Sequence, residues 1–128
     1  MTTQAHAITL TKLNLSAIFG EKDVQTRLKT IADLWVSSPE VFFLDSLGVF
    51  KSHEAISGMV GTVQGFGGPD DEFVELKTLK HDEEDDVWVT RVKWGVGSPG
   101  GELALTGWDV VTIVGGKIKA CYTFLDSK

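Results

Sequence analysis

The hydrophobic positions of this chain change period part-way along. Up to Gly65 they recur every three or four residues, as on one face of a helix; from Phe73 onward they recur every second residue, as on a strand. Leu10, Leu13, Ala17 and Ile18 predict a short first helix ending at Gly20. Asp23 is suited to cap a second helix, because its carboxylate can accept the free N–H groups of the first turn. Val24, Leu28, Ile31 and Trp35 give that helix an apolar stripe, and Ser37-Ser38-Pro39 ends it. The apolar run Val41-Phe42-Phe43-Leu44 predicts a buried strand leading to Asp45 and a turn at Gly48. Ser52 caps a third helix with Ile56, Met59 or Val60, and Val63 on one face, broken by the segment Gly65 to Asp70.

The second half predicts strands near 73–81, 87–96, 102–114 and 117–125. They are joined by the acidic turn Asp82-Glu83-Glu84-Asp85-Asp86, the loop Gly97-Ser98-Pro99-Gly100-Gly101, and Gly115-Gly116. Helices followed by a meander of long strands make an α+β domain, with the helices packed on one face of a curved antiparallel sheet. Residues 1–128 read as a single domain, with 1–8 expected as a flexible N-terminal lead.

Composition narrows the partners. A formal net charge of −6 argues against nucleic acid and against anionic membrane surfaces, which reward clustered Lys and Arg. No stretch approaches the ~20 apolar residues of a membrane span. One cysteine, Cys121, precludes an internal disulfide. With no secretory signal visible at the start, a cytoplasmic location is expected. His6, His53 and His81 are too scattered for a zinc site, and the acidic run 82–86 lacks the spaced ligands of a calcium loop, so no metal is expected.

One residue breaks the apolar pattern. In Leu103–Ile113, strand alternation puts Asp109 on the same face as Leu103, Leu105, Val111 and Ile113. A carboxylate among aliphatic neighbours is costly unless it is paired, protonated or used. Either it shuttles a proton in a dry cavity, or it pairs with a helix residue such as Arg27 and only fixes the sheet. Asp45 is a second candidate, with an ordinary turn role as its alternative. His81 is a third if it points inward, against a solvated place beside the acidic turn. Trp35, Phe43, Trp94 and Tyr122 are candidates for the walls of a substrate cavity, with core packing as the alternative. Arg91 and Lys93 share a strand face expected to meet solvent or a second copy, and alternation sets Trp108 opposite to Asp109.

Several segments in order carry a resemblance: Ile18-Phe19-Gly20-Glu21-Lys22-Asp23, Phe43-Leu44-Asp45, Glu54-Ala55-Ile56, Trp94-Gly95, Thr106-Gly107-Trp108-Asp109-Val110-Val111 and Tyr122-Thr123-Phe124-Leu125-Asp126. From about residue 13 to 126 the chain resembles the nuclear-transport-factor-2-like superfamily, and within it the SnoaL-like group. The resemblance implies a cone, a bent sheet wrapped around helices over an internal cavity, and homodimers formed through the outer sheet face. It implies Asp109 as the acid/base of a cofactor-independent isomerase, cyclase or dehydratase acting on a small hydrophobic molecule, with Asp45 or His81 as its partner. Ketosteroid isomerase and limonene epoxide hydrolase share the fold. The chain lacks a helical tyrosine for the first chemistry, and Lys93 stands where the second needs an aspartate. Members that only bind partners leave a non-catalytic dimeric binding module as the alternative.

Overall fold

The structure, a computed structural model, describes residues 1–77 and 80–126. Helix α1 (Gln4–Leu13) continues into a π-helical segment, Asn14–Phe19. Then follow α2 (Val24–Leu34), β1 (Phe42–Asp45), β2 (Gly48–Phe50), α3 (His53–Gly65), β3 (Glu72–Glu75), β4 (Lys80–Glu84), β5 (Val87–Gly97), β6 (Leu103–Val114) and β7 (Lys117–Leu125). The sheet runs β2-β1-β7-β6-β5-β3, with β4 also on β5. It is open and mixed: every pair is antiparallel except β1 with β7, which the expectation of an antiparallel sheet did not include.

The helix signals act as their chemistry requires. Asp23 accepts from the Thr26 N–H at 2.8 Å and Ser52 from Ala55 at 3.0 Å, so each supplies an acceptor to an otherwise free donor. The first helix is longer than predicted. Thr3 caps it by accepting from His6, so most of the stretch expected as a flexible lead is helical. Its final π-helical turns swing Leu15 and Phe19 toward the sheet and leave Asn14 and Ile18 buried behind.

Two strand boundaries also differ. The strand expected over 73–81 is two strands on one edge of β5, separated by a break in which Thr78 and Leu79 lie outside the described residues. The acidic residues Asp82, Glu83 and Glu84 belong to β4, and the turn is Asp85-Asp86 alone, with φ of 52° and 60°. A two-residue hairpin of that hand needs both residues left-handed, which aspartate tolerates better than most.

The core lies between the sheet's concave face and the helices, built on Ile18, Ile31, Trp35, Phe43, Ile56, Val60, Val111 and Ile113. Trp35 spends its one polar atom inside it, donating from Nε1 to Asn14 Oδ1 at 2.9 Å. Arg27 is buried as well. It donates to Ser57 Oγ (2.9 Å), the Glu21 carbonyl (2.9 Å) and Gln64 Oε1 (3.1 Å), tying the α1–α2 turn to α3. No helix among the described residues is long and apolar enough to cross a membrane.

Removing the indole donor tests this packing. Trp35→Phe strands a buried carbonyl oxygen, at about 1–3 kcal/mol, in addition to the loss of ring volume. Urea unfolding should therefore register a loss of at least about 1 kcal/mol; an unchanged midpoint would contradict the pairing.

Candidate functional site

The register of three strands assembles the site. On β5 and β6, Trp94 lies opposite Gly107 and Val92 opposite Asp109. A methyl group at Gly107 would come within 2.7 Å of both the Trp94 ring and the Phe124 carbonyl, so only glycine lets the indole cross β6 at this point. From there Trp94 Nε1 donates to Asp109 Oδ1 at 3.0 Å. Across the other edge Asp109 faces Thr123, whose Oγ1 donates to the same oxygen at 2.8 Å. Oδ2 carries neither bond.

Asp109 is 3% exposed and has no cationic partner within ion-pair distance among the described residues. The alternative of a bond to Arg27 does not hold, since that guanidinium is committed elsewhere. Its pKa is raised from 3.8 to about 6. Burial is the main cause, opposed by the Thr123 and Trp94 hydrogen bonds and reinforced by the charge of Asp45. The neighbouring Cys121 thiol is pushed up, chiefly by burial and then by Asp109, which makes it a poor nucleophile.

Asp109 opens onto a cavity of about 180 Å³ between the sheet and the helices. Trp94 and Thr123 share its floor, Leu15 and Phe19 come from the π-helical segment, and Asp45 and Ser46 stand at one side. Asp45 is both a lining residue and a turn residue. It lines the cavity, and its Oδ1 accepts from the Leu47 N–H at 2.8 Å as a turn residue does.

The other expected residues are dispersed. His81 is exposed on β4 with its ring 5.8 Å from that of Trp88, and does not reach the cavity. Trp35 and Phe43 stack on one another at 5.9 Å in the core, one layer behind Phe19, and do not line the cavity either. Tyr122 faces outward beside Phe42. Counting back from the Gly115-Gly116 turn without interruption would pair Asp109 with Tyr122. A bulge between Thr112 and Ile113 shifts the register by one, turning Tyr122 out and Thr123 in. Thr123 was therefore missed; so were Leu15, Phe19, Phe66 and Phe73, whose positions depend on the π-helical segment and on the end of α3. On the outer face Trp108 lies 5.0 Å from the Arg91 guanidinium and 5.5 Å from the Lys93 ammonium, opposite to Asp109 as alternation requires. Among the described residues no three His, Cys, Asp or Glu side chains gather as a metal site would need.

This architecture defines a class: an α+β cone with a carboxylate on the floor of an apolar cavity. It superposes on a proposed isomerase of the SnoaL-like family from Agrobacterium tumefaciens with a TM-score of 0.79, at 25% identity, over 97% of this chain and 100% of that one. A nuclear transport factor 2-like protein from Salmonella enterica matches at 0.75 and 16% identity, covering 97% and 91% of the two chains. A proposed polyketide cyclase from Sinorhizobium meliloti matches at 0.59 and 15%, covering 90% and 93%. No family model matches the sequence, and no curated protein does. By fold the protein is similar to proteins of the nuclear-transport-factor-2-like superfamily, and the likeness extends to the SnoaL-like group within it.

The raised carboxyl links stability to pH. Between pH 3.8 and about 6 the folded protein keeps a proton that the unfolded chain has released, so stability falls as pH rises through that window. The full displacement corresponds to about 3 kcal/mol. Asp109→Asn keeps an oxygen for Trp94 and Thr123 but cannot ionise. Its stability relative to the parent should rise by up to about 3 kcal/mol between about pH 4 and pH 7 in urea unfolding. Parallel pH profiles for the two proteins would refute this.

Proposed function

We propose that the protein is a cofactor-independent enzyme of the isomerase, cyclase or dehydratase kind, acting on a small hydrophobic carbonyl compound. The observation that carries the reading is the Asp109 carboxyl, enclosed on the floor of an apolar cavity with a pKa of about 6. A group poised near neutrality can take a proton in one step and return it in the next. As carboxylate, Asp109 removes a proton from the carbon beside the carbonyl. The C–H electron pair becomes a C=C bond and the carbonyl π pair moves to oxygen, giving an enolate. In a β,γ-unsaturated carbonyl compound this enolate is a dienolate, and return of the proton from Asp109 to its γ-carbon re-forms the C=O and isomerises the substrate. In a β-hydroxy carbonyl compound the enolate re-forms the C=O and a C=C bond as the C–O bond breaks, and the departing hydroxyl takes the proton from Asp109 and leaves as water. Trp94 and Thr123 hold Oδ1, which leaves Oδ2 as the oxygen for the substrate. Asp45 is the second carboxyl of the site, at the side of the cavity. His81 takes no part.

Exchange of α-protons of cyclohexanone with D2O, followed by NMR, tests this without knowledge of the natural substrate. The protein should accelerate exchange with a rate rising through about pH 6, and Asp109→Asn should slow it about 10²-fold or more. Exchange indifferent to that substitution would overturn the assignment.

The outer sheet face supports a proposed homodimer. Val89, Trp108, Tyr122 and Phe124 lie there, with Phe124 58% exposed, and Trp108 carries two cations at its ring. Aromatic residues and arginine are the types enriched where proteins meet. Sedimentation should give a dimer for the parent and a monomer for Phe124→Glu; a monomeric parent would contradict the proposal.

A further inference from the structure

A second chamber adjoins the cavity above Asp109. It has a volume of about 270 Å³, and Phe19, Val63, Phe66, Phe73 and Leu105 line both chambers, forming the partition between them. The inner chamber, about 180 Å³, is only slightly larger than the ~150 Å³ cavity that holds one benzene ring. Small-molecule sites usually occupy roughly 300–1,000 Å³, a range that neither of these two chambers reaches alone and that both together do. Phe66 is the adjustable part of the partition. It caps the C-terminal end of α3, is 73% exposed, and lies between Gly65 and Gly67-Gly68.

The polar groups of the outer chamber are not equally available. Gln64 spends its amide on the Phe19 and Glu21 carbonyls and on Arg27, and Asp71 accepts from the Gly68 N–H. Lys22 is the one cation on the lining, and its ammonium makes a hydrogen bond to the Pro69 carbonyl, which leaves donors to spare.

We propose that the outer chamber is the second half of the ligand site: the ligand is a two-part molecule with a ring-sized carbonyl head at Asp109 and an apolar arm that crosses the Phe66 partition and ends in an anionic group beside Lys22. The inference rests on the proposed function for the head and on the outer chamber for the arm, and the two are separately testable.

Calorimetric titration with cyclohexanone, and with cyclohexanones bearing at C4 a three- or six-carbon arm ended by a carboxylate or its methyl ester, provides the test. Each arm methylene should tighten binding by up to about fourfold. The carboxylate should bind about two- to fivefold better than the ester, as fits an exposed lysine, and Lys22→Gln should erase that preference. Ala104 is exposed and lines only the outer chamber. Ala104→Trp should therefore remove the gain from the arm while leaving cyclohexanone binding unchanged. Arms that add no affinity, or a gain that survives Ala104→Trp, would overturn the two-chamber site even if Asp109-dependent exchange stands. A carboxylate preference that survives Lys22→Gln would overturn the anionic terminus. Conversely, an arm gain with exchange unaffected by Asp109→Asn would leave the chamber in place and remove the chemistry.

Discussion

The structure is organised around a carboxylate that has been taken out of water without being given a cation. Asp109 is held instead by two neutral donors, an indole N–H and a hydroxyl, on one of its oxygens. A nearby arginine would have fixed the charge and lowered the pKa; the one buried arginine among the described residues, Arg27, is turned to Ser57, Gln64 and a backbone carbonyl instead. Neutral donors compensate part of the desolvation, so the group stays poised between its two forms. Such an arrangement costs stability at neutral pH.

The rest of the sheet is arranged to make that environment. Gly107 lets Trp94 lie across β6, the bulge near Thr112 turns Thr123 inward, and the parallel pairing of β1 with β7 carries Asp45 to the same cavity. On the helical side, the π-helical turns at the end of α1 direct Leu15 and Phe19 over the carboxylate. Irregular helix turns and bulges gather at functional sites because they re-aim side chains that regular geometry would point elsewhere.

The regular features of this architecture were legible in the sequence. Ser52 and Asp23 marked helix starts because capping is local chemistry, and the period-two pattern around Asp109 showed it to be enclosed because alternation is a local property of strands. The family resemblance supplied the cone, and Trp94, expected as a wall residue, is on the cavity lining. What escaped was non-local. Tyr122 and Thr123 exchange faces through a single bulged residue that no local pattern reveals. His81 shares a strand region with acidic neighbours and stays outside, while Trp35 and Phe43 satisfy the same apolar pattern as wall residues but sit in the core. Apolar periodicity identifies which residues are buried, not which of them border a void.

The most direct measurement is the titration of the Asp109 carboxyl carbon by ¹³C NMR in the intact protein. Enclosure without a cationic partner predicts an inflection near pH 6. An inflection near the ordinary value of 3.8 would mean that water or a positive charge reaches the group, and would contradict the account.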